Sequence, residues 1–441
     1  MPPTPSRAAA FDVLLRVQQR DSYASELLYS PRYKDLTPQD HALATEIVMG
    51  VLRWRSVLDD LIAQRSSQGL KKLDPEVLTA LRIGAYQLQF LSGVPARAAV
   101  NESVELAKQS RKRSAAAFVN AVLRKLAGAA KTGREAAAKT AGELASAYAH
   151  PLWLVERWAN HFGLEAARKI CEYDQAVPEI ALRLAAASVE DELRREGIQL
   201  APGKLLASAR RVTAGQLAST RAFREGRVFI QDEASQLVAL LVGSGRRMLD
   251  CCAAPGGKAR VMAEKNPDAR ILAVELHPHR ARLLRRLVTA ANVKMVTGDV
   301  RELRFNTKFD RVLADVPCSG TGTLAHNPEI KWRLKPGDLE DLQKRQLEIL
   351  LAAMKTVAPG GSLVYSTCSL EPEENAGVLE RALAADGSFT VVPCREALEE
   401  LRSQGEISWS DPDALVAGLY LRTIPGVHPC EGFFAAVLRK N

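Results

Sequence analysis

Through the first 130 residues the apolar positions recur every three or four residues, the spacing that gathers them on one face of a helix. Phe11, Val13, Leu14, Leu15 and Val17 mark the first helix. Thr37-Pro38-Gln39-Asp40 reads as a helix start, with Thr as N-cap and Pro in the first turn. Ala44, Ile47, Val48, Val51, Leu52, Leu58, Leu61 and Ile62 carry that pattern on to about Arg65. Asp74-Pro75 opens a third long helix, through Val77, Leu78, Leu81, Ile83, Tyr86 and Leu88, which Gly93-Val94-Pro95 ends. Helices over Ala99–Lys108 and Ser114–Leu126 follow. Short connections between them predict a compact all-α bundle over residues 1–140.

The pattern then changes. Residues 131–147 are Ala-rich and polar and read as a linker or a loosely packed helix. Residues 150–240 mix helical stretches (151–161, 164–173, 189–196) with strand-like ones (180–184, 207–213, 228–231), the layout of a small α/β, RRM-like subdomain without the aromatic pair of such modules. From 241 to 441 strands and helices alternate, which predicts a Rossmann-like α/β domain. Its strands are expected from Met248 into the Cys251-Cys252 turn, over Arg270–Glu275 and Val293–Asp299, from Phe309 into the Pro317-Cys318 turn, and over Ser362–Ser369, with a last one at Phe433–Leu438.

The carboxyl ends of those strands hold residues a core has no use for. The first runs into Cys251-Cys252-Ala253-Ala254-Pro255-Gly256-Gly257-Lys258, a strand, a sharp turn and a helix start. In an open α/β sheet this is where a nucleotide-like ligand docks, and two glycines allow close backbone approach. The turn is not G-x-G-x-x-G, which argues against a dinucleotide oxidoreductase. The next strands end in Glu275, placed for ribose hydroxyls, and in Asp299. The last two end in Asp315-Val316-Pro317-Cys318 and Ser366-Thr367-Cys368-Ser369.

Composition narrows the setting. The chain has no apolar run of about 18 residues, and its start lacks the charged and apolar regions of a signal peptide. Seven cysteines, without paired or zinc-ligand spacing, predict free thiols in a reducing, cytoplasmic compartment and no metal. The net charge is +9. Residues 1–150 hold 21 Lys/Arg against 14 Asp/Glu, whereas the remainder holds 39 against 37. A basic excess concentrated in the N-terminal third points to a polyanion, with Arg53, Trp54, Arg55, Arg111, Lys112 and Arg113 as candidate RNA contacts, although Trp54 reads equally as a half-buried packing residue.

Two thiols and an Asp beside a site for an adenosyl ligand suit one chemistry. Carbon 5 of cytosine is a poor nucleophile, but thiolate addition at carbon 6 makes it enamine-like and able to take a methyl group from a sulfonium donor. A base then removes the proton at carbon 5 and the thiol leaves. A helix start at Glu371-Pro372-Glu373-Glu374 would lower the Cys368 pKa and its glutamates would raise it, so the balance is left open, as is which thiol attacks. Cys171, Cys251, Cys394 and Cys430 read as packing residues.

Nearly end to end the chain resembles the RsmB/Sun (Fmu) group of bacterial 16S ribosomal RNA cytosine-C5 methyltransferases, within the NOL1/NOP2/Sun family. The resemblance rests on Cys252–Lys258, on the two cysteine motifs, and on Glu329-Ile330-Lys331-Trp332 and Gly432-Phe433-Phe434. Val94-Pro95-Ala96-Arg97-Ala98-Ala99-Val100-Asn101-Glu102 and Phe118–Arg124 resemble the RNA-binding factor NusB. Ala259 and Asn327 depart from the family pattern, at positions outside the proposed chemistry.

The resemblance implies a NusB-like bundle followed by a catalytic domain for S-adenosylmethionine. It implies Cys252, Ala253, Ala254, Pro255, Gly256, Gly257, Lys258, Glu275, Asp299 and Asp315 as cofactor contacts. It implies Cys368 as nucleophile, with Cys318, Asp315 and Lys258 as catalytic partners and Cys318 assisting product release. Small-subunit ribosomal RNA is the expected partner of a monomer. The alternatives are the same chemistry on another RNA such as tRNA, or a NusB-like RNA-binding factor without activity, which intact Cys318, Cys368, Asp315 and Lys258 argue against.

Overall fold

The structure is a computed structural model that describes residues 2–19, 22–129 and 138–441. The chain forms two compact units, residues 1–177 with 324–333, and residues 178–323 with 334–441. The helices Leu152–Phe162 and Leu164–Gln175 therefore belong to the helical unit and not, as expected, to the small α/β part. Of the expected linker, 131–137 lie outside the described residues, and Ala141–Ala147 is a helix with a Thr140–Glu143 capping box.

In the helical unit the long helices are Pro5–Gln19, Pro38–Arg53, Arg55–Ala63, Pro75–Phe90, Ala96–Gln109 and Ala116–Ala127. Their apolar faces meet in one core around Leu14, Ile47, Val48, Leu58, Leu81 and Leu123. Thr37 caps its helix by accepting from Asp40 N at 3.1 Å. The expected run to Arg65 breaks at Trp54, which is buried and stacks on Phe90. Arg53 is buried too, and its guanidinium donates to Ala325 O at 2.9 Å. Neither residue is free to touch RNA, because the helix phase that puts Ile47, Val48 and Val51 in the core carries Arg53 and Trp54 inward.

Residues 324–333 pack as part of this unit. Lys331 is buried and donates to Arg53 O at 3.0 Å, and Trp332 Nε1 donates to Leu52 O at 2.6 Å. Burial pulls the Lys331 ammonium down to about 7, against the favourable charge of Asp174.

The second unit holds two sheets. A small antiparallel sheet has the order β2-β3-β1-β4, from β1 (Ile180–Leu184), β2 (Gln199–Pro202), β3 (Ala209–Ala214) and β4 (Val228–Ile230). The catalytic sheet holds β5 (Arg247–Asp250), β6 (Arg270–Glu275), β7 (Val293–Thr297), β8 (Phe309–Asp315), β9 (Val357–Thr367), β10 (Phe389–Val392), β11 (Val416–Ala417), β12 (Tyr420–Arg422) and β13 (Phe434–Lys440). Its order is β11-β12-β13-β9-β8-β5-β6-β7, with β10 also on β13. Strands β5 to β9 are parallel, and β13 joins β9 antiparallel. The chain steps outward from β5 through β6 to β7, then crosses back to place β8 on the other side of β5. A ligand crevice opens at such a switch point, at the carboxyl ends of the strands.

Candidate active site

The switch point lies between β5 and β8, and the turn after β5 is one wall of a cleft. Cys252, Ala253, Ala254, Pro255, Gly257 and Lys258 line it, with Asp250 beneath and Asp315 opposite. The small sheet supplies the other side through Phe229, Ile230 and Gln231. Two buried oxygens in this cleft, Asp250 Oδ2 and Gln231 Oε1, have no hydrogen-bond partner among the described residues. Burial first, and then the charge of Asp315, pushes the Asp250 carboxyl up to about 7.

Gly256 and Gly257 differ in what they require. Gly256 has φ +116°, and a Cβ there would sit 2.4 Å from Val288 Cγ2 and 2.8 Å from Leu284 Cδ1. Backbone conformation and packing by themselves already require glycine there. A Cβ on Gly257 would meet Gln231 Cδ and Phe229 Cε1, each at 2.9 Å, on the cleft side.

Glu275 and Asp299 fall outside the residues that line this cleft. Glu275 is buried at the end of β6 and accepts from His277 N at 2.9 Å. Asp299 lies beyond β7 in the grip of Arg301, whose Nη2 is 2.6 Å from Asp299 Oδ2. The hydrogen bonds from Arg301 hold the Asp299 carboxyl below its usual value.

The four residues named as catalytic converge. Lys258 Nζ lies 2.8 Å from Asp315 Oδ2 and 5.0 Å from the centre of the Phe433 ring. Ser366 Oγ donates to Asp315 Oδ1 at 2.8 Å, so both carboxylate oxygens are engaged. Beyond them Cys318 Sγ and Cys368 Sγ are 3.2 Å apart, both half-buried. The backbone sets this pairing: β8 and β9 are neighbours, and Val316 N donates to Ser366 O at 3.0 Å where both strands end.

The hydrogen bond to Cys368, then burial and the charges of Cys368 and Glu374, push the Cys318 thiol well up. Burial does the same for Cys251 and Cys252. Cys171, Cys394 and Cys430 are buried in packing positions, as expected. The helix expected at Glu371 is a single 3-10 turn, Pro372–Glu374, and the α-helix starts at Ala376. Cys368 therefore does not sit at a helix N-terminus, because Pro372 and the buried Glu374 hold the chain in a turn.

Sequence reasoning missed Asp250, Gln231, Ser366 and Glu374. Asp250 and Ser366 stand inside motifs already singled out, where alternation along a strand end could have flagged them. Gln231 precedes Asp232, whose side chain caps the helix Glu233–Leu241 through Ala234 N at 2.8 Å. That cap was the only local signal. Among Gly432-Phe433-Phe434, Gly432 packs against Gly322, where a Cβ would lie 2.1 Å from Gly432 O.

Known proteins give this geometry a family. The profile described as 16S rRNA methyltransferase RsmB/F matches residues 238–439, and that of the NusB family matches residues 4–128. The probable ribosomal RNA small subunit methyltransferase B of Bacillus subtilis is 35% identical, over 88% of this chain and 90% of its own. The ribosomal RNA small subunit methyltransferase B of Vibrio cholerae is 32% identical over 99% and 97%. A methyltransferase homolog protein from Pyrococcus horikoshii has a TM-score of 0.56 at 26% identity, over 69% of this chain and 100% of that one. The crystal structure of PH0851 has the same fold, with a TM-score of 0.81 at 22% identity over both whole chains.

The cofactor is S-adenosylmethionine, and the cleft suits it. Its α-ammonium has the N–H groups that Asp250 Oδ2 and Gln231 Oε1 lack. A NusB-like helical unit and a Rossmann-like catalytic sheet thus stand on one chain, and it belongs to the RsmB/F family of 16S ribosomal RNA methyltransferases.

Proposed function

We propose that the protein methylates carbon 5 of a cytosine in 16S ribosomal RNA through a covalent cysteine–cytosine intermediate, acting in the cytoplasm as a monomer. The observation that carries this reading is the 3.2 Å pairing of Cys318 and Cys368 beside the Lys258–Asp315 ion pair. S-adenosylmethionine, when bound, supplies an electrophilic methyl group. Cys368 adds to carbon 6 of the base, which turns carbon 5 into a nucleophile. Asp315, held by Lys258, would lie at the N3 edge of the ring and relay a proton to N3 that offsets the negative charge thiolate addition builds there. After transfer a base takes the proton on carbon 5, the electrons of that C–H bond restore the carbon 5–carbon 6 double bond, and the carbon 6–sulfur bond breaks with its electron pair leaving on Cys368 as thiolate. Cys318 assists this elimination from its place against Cys368. Asp250 and Gln231 would receive the ammonium of the donor, and Glu275 at the end of β6 would hold its ribose hydroxyls, with Asp299 as a further contact outside the cleft lining.

The test is to incubate the protein with labelled S-adenosylmethionine and bulk ribosomal RNA, then digest and separate the nucleosides. Label in 5-methylcytidine from the small-subunit RNA is expected. Label in another nucleoside, or only in tRNA added alongside, would overturn the reading of target atom or of substrate.

A further inference from the structure

We infer that Glu374 is a positioning residue that locks the two cysteine turns together. It sits in the 3-10 turn Pro372–Glu374, fully buried, and a carboxylate there is tolerated only when its lone pairs are filled. Four donors fill them. Oε1 accepts from Ser319 N and from Gln346 Nε2, each at 2.8 Å. Oε2 accepts from the hydroxyls of Ser319 and Ser369, which also touch each other at 3.0 Å.

The identity of these donors makes the argument. Ser319 follows Cys318 and Ser369 follows Cys368, 50 positions apart in the chain. Gln346 also donates to Pro317 O at 3.0 Å, so the residues on both sides of Cys318 are tied to one carboxylate. The neighbouring Asn375 grips Cys368 in the same way. It donates to Ser369 O at 2.9 Å and accepts from Thr367 Oγ1 at 2.5 Å. A fold that needed only a filled core would place an apolar side chain here, since a buried charge is a poor source of stability. What the carboxylate adds is a fixed separation of two turns from different strands. Its charge also adds to the influences that keep the Cys318 thiol protonated.

The inference rests on the proposed two-thiol chemistry, so its test needs a readout that does not pass through methylation. In the full chain, diamide accepts two electrons and two protons from a pair of thiols and joins them as a disulfide. The Cys318–Cys368 bond is quantified by peptide mapping. Glu374→Gln keeps the volume and offers one acceptor oxygen, and Glu374→Asp keeps the charge but is one methylene shorter. Both are expected to slow formation of that disulfide by about tenfold, within what a displacement near 1 Å can cost. Both should lower kcat with little change in KM for RNA or in donor affinity. Ser319→Ala with Ser369→Ala removes donors from the other side and should give the same pattern, which covers the case in which a Glu374 variant does not fold. Wild-type coupling rates in the folded variants would overturn the inference. Coupling that slows in a protein whose wild type forms no 5-methylcytosine would uphold the positioning role and sink the methylation reading alone.

Discussion

The ammonium of Lys258, on the first turn after the Gly-rich loop, lies 2.8 Å from Asp315 Oδ2 at the end of the neighbouring strand β8. One ion pair thus ties the cofactor loop to the cysteine motif. Burial works against the charged form of Lys258, but the charge and hydrogen bond of Asp315, joined by the charges of Cys368 and Asp250, together outweigh it and the pKa is raised. Lys258→Met leaves Asp315 without its counter-charge. The methyl-transfer rate should fall by about 10²- to 10³-fold, the scale of one lost transition-state contact. Single-turnover kinetics with saturating donor read this directly, and a loss under threefold would remove Lys258 from the catalytic set.

The thiols should separate by time of action. Cys368→Ala is expected to be inactive and to give no RNA adduct on a denaturing gel. Cys318→Ala should be inactive or slow and give a donor-dependent adduct that survives denaturant, because the bond to carbon 6 forms and is not undone. Cys251→Ala should stay active, since Cys251 packs in the core with Leu249 and Val312. An adduct in Cys368→Ala and none in Cys318→Ala would reverse the two roles.

The Gly-rich turn now carries two distinct expectations. Gly256→Val combines a left-handed φ with overlap on Val288 and Leu284, and should lower the melting temperature along with donor binding. Gly257→Ala presses on Gln231 and Phe229 and should weaken donor binding with a smaller loss of stability. Thermal melts and calorimetry on the two variants compare the positions. Equal melting temperatures would deny the packing role of Gly256.

How much of this was legible in the chain differs by element. The parallel strands and their order of use were readable, because apolar runs ending in Cys, Asp and Gly mark strand ends whatever the tertiary contacts. The cysteine pair was readable as two motifs, but their contact required β8 and β9 to be neighbours, which only topology decides. Glu374 was hidden because a buried carboxylate looks like any surface acid in a sequence, whereas Asp250 stood at a strand end where alternation could have flagged it. Arg53 misled for the converse reason, since a basic residue beside an aromatic suggests RNA and helix phase buried it, while the burial of Trp54 fits the packing reading of that residue.

That burial changes the RNA prediction. Residues 324–333 pack within the helical unit, so a fragment of residues 1–145 would lack Lys331 and Trp332, which donate to Arg53 and Leu52 carbonyls. The test belongs on the full chain. Arg97, Arg111 and Arg113 are exposed. Replacing all three with Gln should weaken RNA binding and lower the slope of log affinity against log salt by roughly 0.7 per lost phosphate contact. S-adenosylmethionine affinity should not change. An unchanged salt slope would assign the basic surface of these helices to something other than phosphate.

Asp250 links the donor cleft to pH. Its carboxyl is raised from 3.8 to about 7 in the folded protein, by burial and then by Asp315. Between these values the folded state holds a proton that the unfolded state has released. Its contribution to stability is therefore full below pH 4 and is lost as pH climbs through 7. Donor binding has the opposite sign, because an ammonium favours the ionised carboxylate. S-adenosylmethionine affinity should drop as pH falls below 7, by up to about tenfold per unit, with a proton released on binding. Calorimetry in buffers of different ionisation enthalpy counts that proton. Asp250→Asn should bind more weakly at pH 8 and show a flat profile from pH 6 to 8. If the variant keeps the wild-type slope and proton release, another group receives the ammonium.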